Sequence, residues 1–217
     1  MSSLTEENYL KAIYRLSLIP ETKITLTAIA EEIKVNAASA VDMIKKLGDK
    51  NLIHYNKKLG ARLTAKGSKM ALDIVRKHRL WEVFLLEKLN YSWDVIHEIA
   101  EQLEHIKHKE LADRLEKYLG FPKYDPHGDP IPKSNGEVPR TPYKLLSEAE
   151  KGKYYRVTGV KDTSPLFLQY LRQLSVQIGT KIKVNEKINF DGSLLIQLGK
   201  SSKKTVSKKF AESLFIY

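Results

Sequence analysis

Apolar positions recur along this chain in three distinct rhythms, and each rhythm predicts a different kind of segment. In "SLTEENYLKAIYRLSL" residues Leu4, Tyr9, Ala12, Ile13 and Leu16 form a helical stripe, with Thr5 as the expected N-cap and Pro20 closing the unit. A short helix is predicted next, capped by Thr27 and lined by Ile29, Ala30 and Ile33. It is followed by a break at Val35–Asn36 and a second helix from Ala37 to Lys50. Alanines 30, 37, 38 and 40 let those two helices cross closely. "LIHY" and "ARLT" then alternate as strands around a basic tip from Asn56 to Gly60. Helix, turn, helix and a two-stranded wing make a winged helix-turn-helix, which points to DNA.

The second rhythm is a long helix from Thr64 to Leu89, apolar on more than one face around Trp81, Val83, Phe84, Leu85 and Leu86. Such a helix needs two partners, and a second subunit supplies one, so a homodimer is expected. "SWDVIHEIAEQLEHI" and "KHKELADRLEKYLG" continue as helices, the latter ending at Gly120. Residues 121–142 hold six of the eight prolines and read as a linker. The third rhythm is period-two: "YYRVTGV", "KIKVNEKI" and "SLLIQLG" are strands, with Asp191–Gly192 as a hairpin turn. "SPLFLQYLRQL" is a helix capped by Ser164 with Pro165 at its first position. The expected architecture is mainly α with a small β domain. A winged helix spans 1–72, a helical metal-binding and dimerisation domain with its linker spans 73–142, and an SH3-like β-barrel spans 143–217.

Composition narrows the chemistry. The chain has no cysteine, which excludes disulfides and thiolate-held zinc or iron–sulfur groups. No run of 18 apolar residues is present and the first residues lack a signal-peptide pattern, so a cytoplasmic protein without membrane attachment is expected. The net charge of +11 favours a polyanionic partner. It is uneven: net +4 over residues 1–75, −1 over 76–140 and +8 over 141–217. The acid therefore collects in the middle.

There, "HEIAEQLEH" places His97, Glu101, Glu104 and His105 at i, i+4, i+7 and i+8, one face of a helix, with Glu98 to the side. That face carries no lysine or arginine, so Glu101 and Glu104 are expected to repel unless a cation joins them. His78 and Glu82, again at i and i+4, sit on the preceding helix, and "DPHGDP" adds Asp125 and His127. A metal accounts for four of the six histidines. A solvated charged face is the plainer alternative. The histidine spacing is not H-E-x-x-H, and neither a Gly-x-Ser-x-Gly nor a phosphate-binding glycine loop appears, so catalysis is not expected.

A winged helix, then "KHRLWE", "H-x-x-x-E-x-x-E-H", "DPHGDPIP" and a small barrel, in that order, resembles the diphtheria-toxin-repressor and manganese-transport-regulator family of metal-dependent repressors. The resemblance implies a DNA-switching metal site at Glu101, Glu104 and His105, completed by Asn8. It implies a second site at His78, Glu82 and His97, extended by Asp125, His127 and the barrel residue Asp162. Iron-sensing members tend to carry cysteine where Glu101 stands and methionine where Asn8 stands. Manganese-sensing members tend to carry Glu at the first of these positions, Asp at the second and a further Glu where this chain has Lys11. Oxygen and nitrogen donors suit Mn²⁺, with Fe²⁺ as the alternative and Zn²⁺ able to occupy the site in vitro. The expected function is a homodimeric, Mn²⁺-responsive repressor of metal-uptake genes on a palindromic operator of double-stranded DNA. Asn36, Ala37, Ala38, Ser39 and Asp42 are the candidates to face bases; Lys45, Lys57, Lys58 and Arg62 are the phosphate candidates. An iron-responsive repressor, a metal-independent winged-helix regulator, and a metal carrier or metallo-enzyme remain as alternatives.

Overall fold

The computed structural model describes residues 3–139, 144–199 and 203–217; the last three residues of the proline-rich linker, 140–142, lie outside them. The chain forms two compact units, one of Met1–His78, Glu101–Arg114 and Pro132–Val138, the other of Arg79–Ala100, Leu115–Ile131 and Pro139–Tyr217. Both draw on the middle segment that the sequence reading treats as one helical domain.

In the first unit, α1 (Leu4–Ser17), α2 (Leu26–Glu32) and α3 (Ala37–Asp49) pack with the hairpin β1 (Ile53–Asn56) and β2 (Gly60–Leu63). Leu10, Ile13, Ile29 and Leu47 are fully buried in its core. The cap of α1 is Ser3 rather than Thr5: Ser3 and Glu6 form a reciprocal capping box. The cap of α2 is Thr25 rather than Thr27, its oxygen accepting from Ala28 N–H. In both cases a hydroxyl two residues further upstream reaches the N3 amide, so the helix starts two residues earlier. The turn between α2 and α3 is closed by Val35 N–H donating to Ala30 O. Gly60 has φ +82, and a Cβ there would meet Ile24 O at 2.6 Å, so the wing needs glycine where it meets the Ile24 backbone.

Helix α4 (Ala65–Glu87) follows the wing, then α5 (Ile96–Leu103) and α6 (Leu111–Tyr118). The acidic–histidine helix is shorter than expected, and Glu104 and His105 lie in the turn after α5. In the second unit the described strands β3 (Lys144–Leu145), β4 (Tyr154–Val160), β5 (Lys181–Lys187), β6 (Leu194–Leu198), β7 (Lys203–Val206) and β8 (Leu214–Ile216) form one antiparallel sheet. Its order is β3-β8-β4-β5-β6-β7. Inward residues Val157, Ile182, Val184, Ile196 and Ile216 pack with Leu168 and Leu171 of α7 (Pro165–Gln173) and Phe210 of α8 (Lys208–Glu212). This is the SH3-like architecture expected from the period-two segments. Among the described residues no helix is long and apolar enough to cross a membrane.

Candidate metal centre and nucleic-acid interface

In the second unit α4 carries Glu82, 1% exposed, and the loop after α6 carries Asp125 and His127, 5% and 3% exposed. One ligand atom from each lies within 4.8 Å of the others. Loop geometry holds them there. Asp125 Oδ1 accepts from the N–H groups of His127 at 2.8 Å and Asp129 at 2.9 Å. Val160 N–H on β4 donates to His127 O at 2.8 Å. Gly128 has φ +89, and a Cβ would fall 1.9 Å from Thr158 O; only glycine lets the loop lie this close to β4. Arg79 braces the loop, with Nη1 donating to Pro130 O at 2.5 Å and Nε 3.5 Å from Asp125 Oδ2.

Burial and neighbouring charge both shift the titrating groups of this cluster. Burial, reinforced by the charges of Glu82 and Asp129, pushes the Asp125 carboxyl up to about 7, against the opposing pull of Arg79 and His127. Burial alone would lower His127, but its hydrogen bond and charge contact with Glu82, with Asp125 and Asp129 behind it, raise it instead. His127 Nδ1 is 3.4 Å from Glu82 Oε2, and Glu82 Oε1 is 3.0 Å from His97 Nδ1. The buried Nε2 of His127 has no hydrogen-bond partner. A buried nitrogen without a partner is costly unless something binds it. Asp162 is half-buried, and its Oδ1 accepts from Ser164 N–H ahead of α7 at 2.9 Å.

In the first unit the carboxylates of Glu101 and Glu104 do not face each other bare. Lys11 Nζ on α1 donates to Glu101 Oε1 at 2.7 Å and to both oxygens of Glu104, at 2.8 and 2.7 Å. The repulsion expected from the helix face alone is thus relieved by a lysine some ninety residues upstream. His78 Nδ1 meets Glu104 Oε2 at 2.6 Å. His105 Nδ1 meets Glu7 Oε2 at 2.7 Å, while Asn8 is exposed. Sequence reasoning passed over Glu7, Trp93 and Arg79. The available signals were Glu7 lying four residues before Lys11, and Arg79 lying inside "KHRLWE".

On α3 the residues Ala37, Ala38, Ser39, Val41, Asp42 and Lys45 are exposed, while Ala40, Ile44 and Leu47 face the core. Asn36 Oδ1 accepts from Ser39 N–H at 2.8 Å, so that oxygen caps the helix. Lys57 and Lys58 are exposed at the wing tip, where Asn56 Oδ1 accepts from Lys58 N–H at 2.7 Å; Arg62 is exposed on β2. Lys46 and Lys50 are engaged by Glu6 at 3.0 and 2.7 Å.

Residues 1–61 match the family model described as the iron dependent repressor, N-terminal DNA binding domain, and residues 64–133 match that of its metal binding and dimerisation domain. Residues 144–217 match the FeoA domain. The iron-dependent repressor IdeR of Mycobacterium leprae (strain TN) is 28% identical over 190 residues, 87% of this chain and 79% of that protein. A solved manganese-dependent transcriptional repressor in complex with manganese is similar at a TM-score of 0.87 and 32% identity, covering 97% of this chain and 98% of the other. The manganese regulator SloR is similar at a TM-score of 0.78 and 36% identity, covering 98% and 97%.

Proposed function

This chain belongs to the iron-dependent repressor family of metal-dependent DNA-binding transcriptional repressors, and on that premise we propose that it is a manganese-responsive member. It acts in the cytoplasm as a homodimer on a palindromic operator and controls metal uptake, without a catalytic step of its own. Residues 1–72 read DNA, 73–142 hold metal and the second subunit, and 143–217 form the barrel.

One observation carries the metal reading: Glu82, Asp125 and His127 are all buried and each brings a ligand atom within 4.8 Å of the others. These residues fit a divalent ion, since two carboxylates and an imidazole provide hard and borderline donors without thiolate. Such an ion, when bound, supplies the positive charge that Glu82 and Asp125 lack. The protein's own part is positioning. Arg79 and the amides of His127 and Asp129 fix the Asp125 carboxyl, and β4 fixes the His127 backbone. His97 sits within reach of Glu82 as a further nitrogen donor. Mn²⁺ is preferred to Fe²⁺ in this reading because solved manganese repressors are similar over nearly the whole chain.

The DNA reading rests on the exposed small-residue face of α3 and the basic wing tip. Ala37 and Ala38 allow close approach to thymine methyls, with Ser39 and Asp42 beside them as polar contacts to base edges. Lys45, Lys57, Lys58 and Arg62 supply phosphate contacts. Titration calorimetry with Mn²⁺, anaerobic Fe²⁺ and Zn²⁺ tests the metal reading. Asp125→Asn and His127→Ala should each weaken Mn²⁺ binding more than about tenfold, the cost of a lost ligand. A wild-type protein that takes up no Mn²⁺ would refute it.

A further inference from the structure

The environment of Lys11 is that of a bound cation. Its ammonium has three N–H donors, and three carboxylate oxygens, from Glu101 and Glu104, lie 2.7–2.8 Å away. The Lys11 side chain is 7% exposed and that of Glu104 is 0% exposed, so water contributes little to either charge. Around them stand Glu7, with Lys107 at 3.8 Å, and the imidazoles of His78 and His105. Lys11 and Lys107 offset two of the three carboxylate charges of Glu7, Glu101 and Glu104. A hard divalent ion on these carboxylates would lie about 2.0–2.6 Å from each oxygen, in the space the ammonium fills.

We infer that Lys11 is a resident cation, tying α1 to Glu101 and Glu104 without metal, so that this cluster takes no divalent ion and the chain's metal response passes through Glu82, Asp125 and His127. The inference rests on the proposed function only in assigning metal to the latter set. It changes what the winged helix requires. Because α1 packs on α2, α3 and β2, a direct ion pair from Lys11 holds part of the DNA-reading unit at all metal concentrations.

Equilibrium dialysis of the full chain against Mn²⁺ tests this. Wild type should bind one ion per chain, and Lys11→Arg, which keeps the charge, should bind one. Lys11→Glu and Lys11→Met should each bind two, because the ammonium is gone and the carboxylates and imidazoles remain. In chelator Lys11→Met should melt below wild type, and Mn²⁺ should raise its melting temperature by more than it raises that of wild type. Two ions per wild-type chain would overturn the inference, and so would a single ion in both Lys11→Glu and Lys11→Met. Wild type binding no ion would refute metal at Glu82, Asp125 and His127; a gain of one ion in Lys11→Met would then still support the resident cation.

Discussion

His127 lies almost flat against Trp93, the ring centroids 5.7 Å apart and the planes 14° from parallel, with the imidazole Nε2 buried and unpartnered. An ion bound to that imidazole perturbs the indole directly. Mn²⁺ should therefore quench Trp93 emission saturably, measured in a Trp81→Phe background because the chain has two tryptophans. His127→Ala should abolish the response. Emission that is the same with and without Mn²⁺ would place the ion elsewhere.

The raised Asp125 carboxyl predicts the pH dependence of this site. Its folded value of about 7 lies above its ordinary 3.8. The metal-free folded state therefore holds more protons than the unfolded chain between those values. That contribution to stability is fully present in acid and is lost as pH rises through about 7. His127, also raised, acts in the same direction. The melting temperature in chelator should fall from pH 5 to pH 8, and Asp125→Asn should flatten the fall. Mn²⁺ affinity should rise over the same interval, because the ion displaces the Asp125 proton. An Mn²⁺ affinity independent of pH from 5 to 7 would contradict the assignment.

Gly128 is the narrowest steric requirement of the loop. Gly128→Ala combines a left-handed φ of +89 with a Cβ 1.9 Å from Thr158 O. It should cost about 2 kcal/mol or more, beyond the usual strain of a non-glycine residue in that conformation. Mn²⁺ binding should weaken with it. A thermal melt and a Mn²⁺ titration of the variant check both, and a wild-type melt would show that the loop does not press on β4.

Glu6 joins α1 to α3. Burial pushes its carboxyl up, but hydrogen bonds from Lys50, Lys46 and the Ser3 N–H outweigh burial and hold it at about 2. Its contribution is therefore present above its ordinary value of about 4.5 and is lost as pH falls through about 2. The shift corresponds to roughly 3 kcal/mol, reduced to about 1–2 kcal/mol because both lysines are about half exposed. Glu6→Gln should lose that much at pH 7 in a denaturant melt, with the gap narrowing below pH 5. A constant gap would mean that the charge does not matter.

The elements were legible where one periodicity ran without conflict. Tyr154–Val160, Pro165–Gln173 and Lys181–Lys187 lie where alternation or a capped helical stripe puts them. The acidic and imidazole groups of Glu82, Asp125 and His127 were legible as types, since side chains able to hold a metal come from a short list. What escaped was pairing across the chain. A helix-face argument sees neighbours three or four residues away, and the cation for Glu104 comes from Lys11 on another helix. The burial of Glu6, Glu7 and Lys11 on α1 escaped for the same reason. Charged side chains read as solvent-facing until their partners are in place, and the resemblance points to Asn8 on α1 rather than to Glu7.

If divalent metal at Glu82, Asp125 and His127 governs DNA binding, a binding titration on an operator selected from random duplexes shows it most directly. With about four phosphate contacts per winged helix, the dimer should show a log–log salt slope near −7, flattened by loss of Lys57 and Lys58. At fixed salt, Mn²⁺ should strengthen wild-type binding by about 5–150-fold over chelator, the usual range of such coupling. Glu82→Gln and His127→Ala should bind as wild type does in chelator, whatever the Mn²⁺ concentration. Equal affinity of the wild type in Mn²⁺ and in chelator would contradict the account.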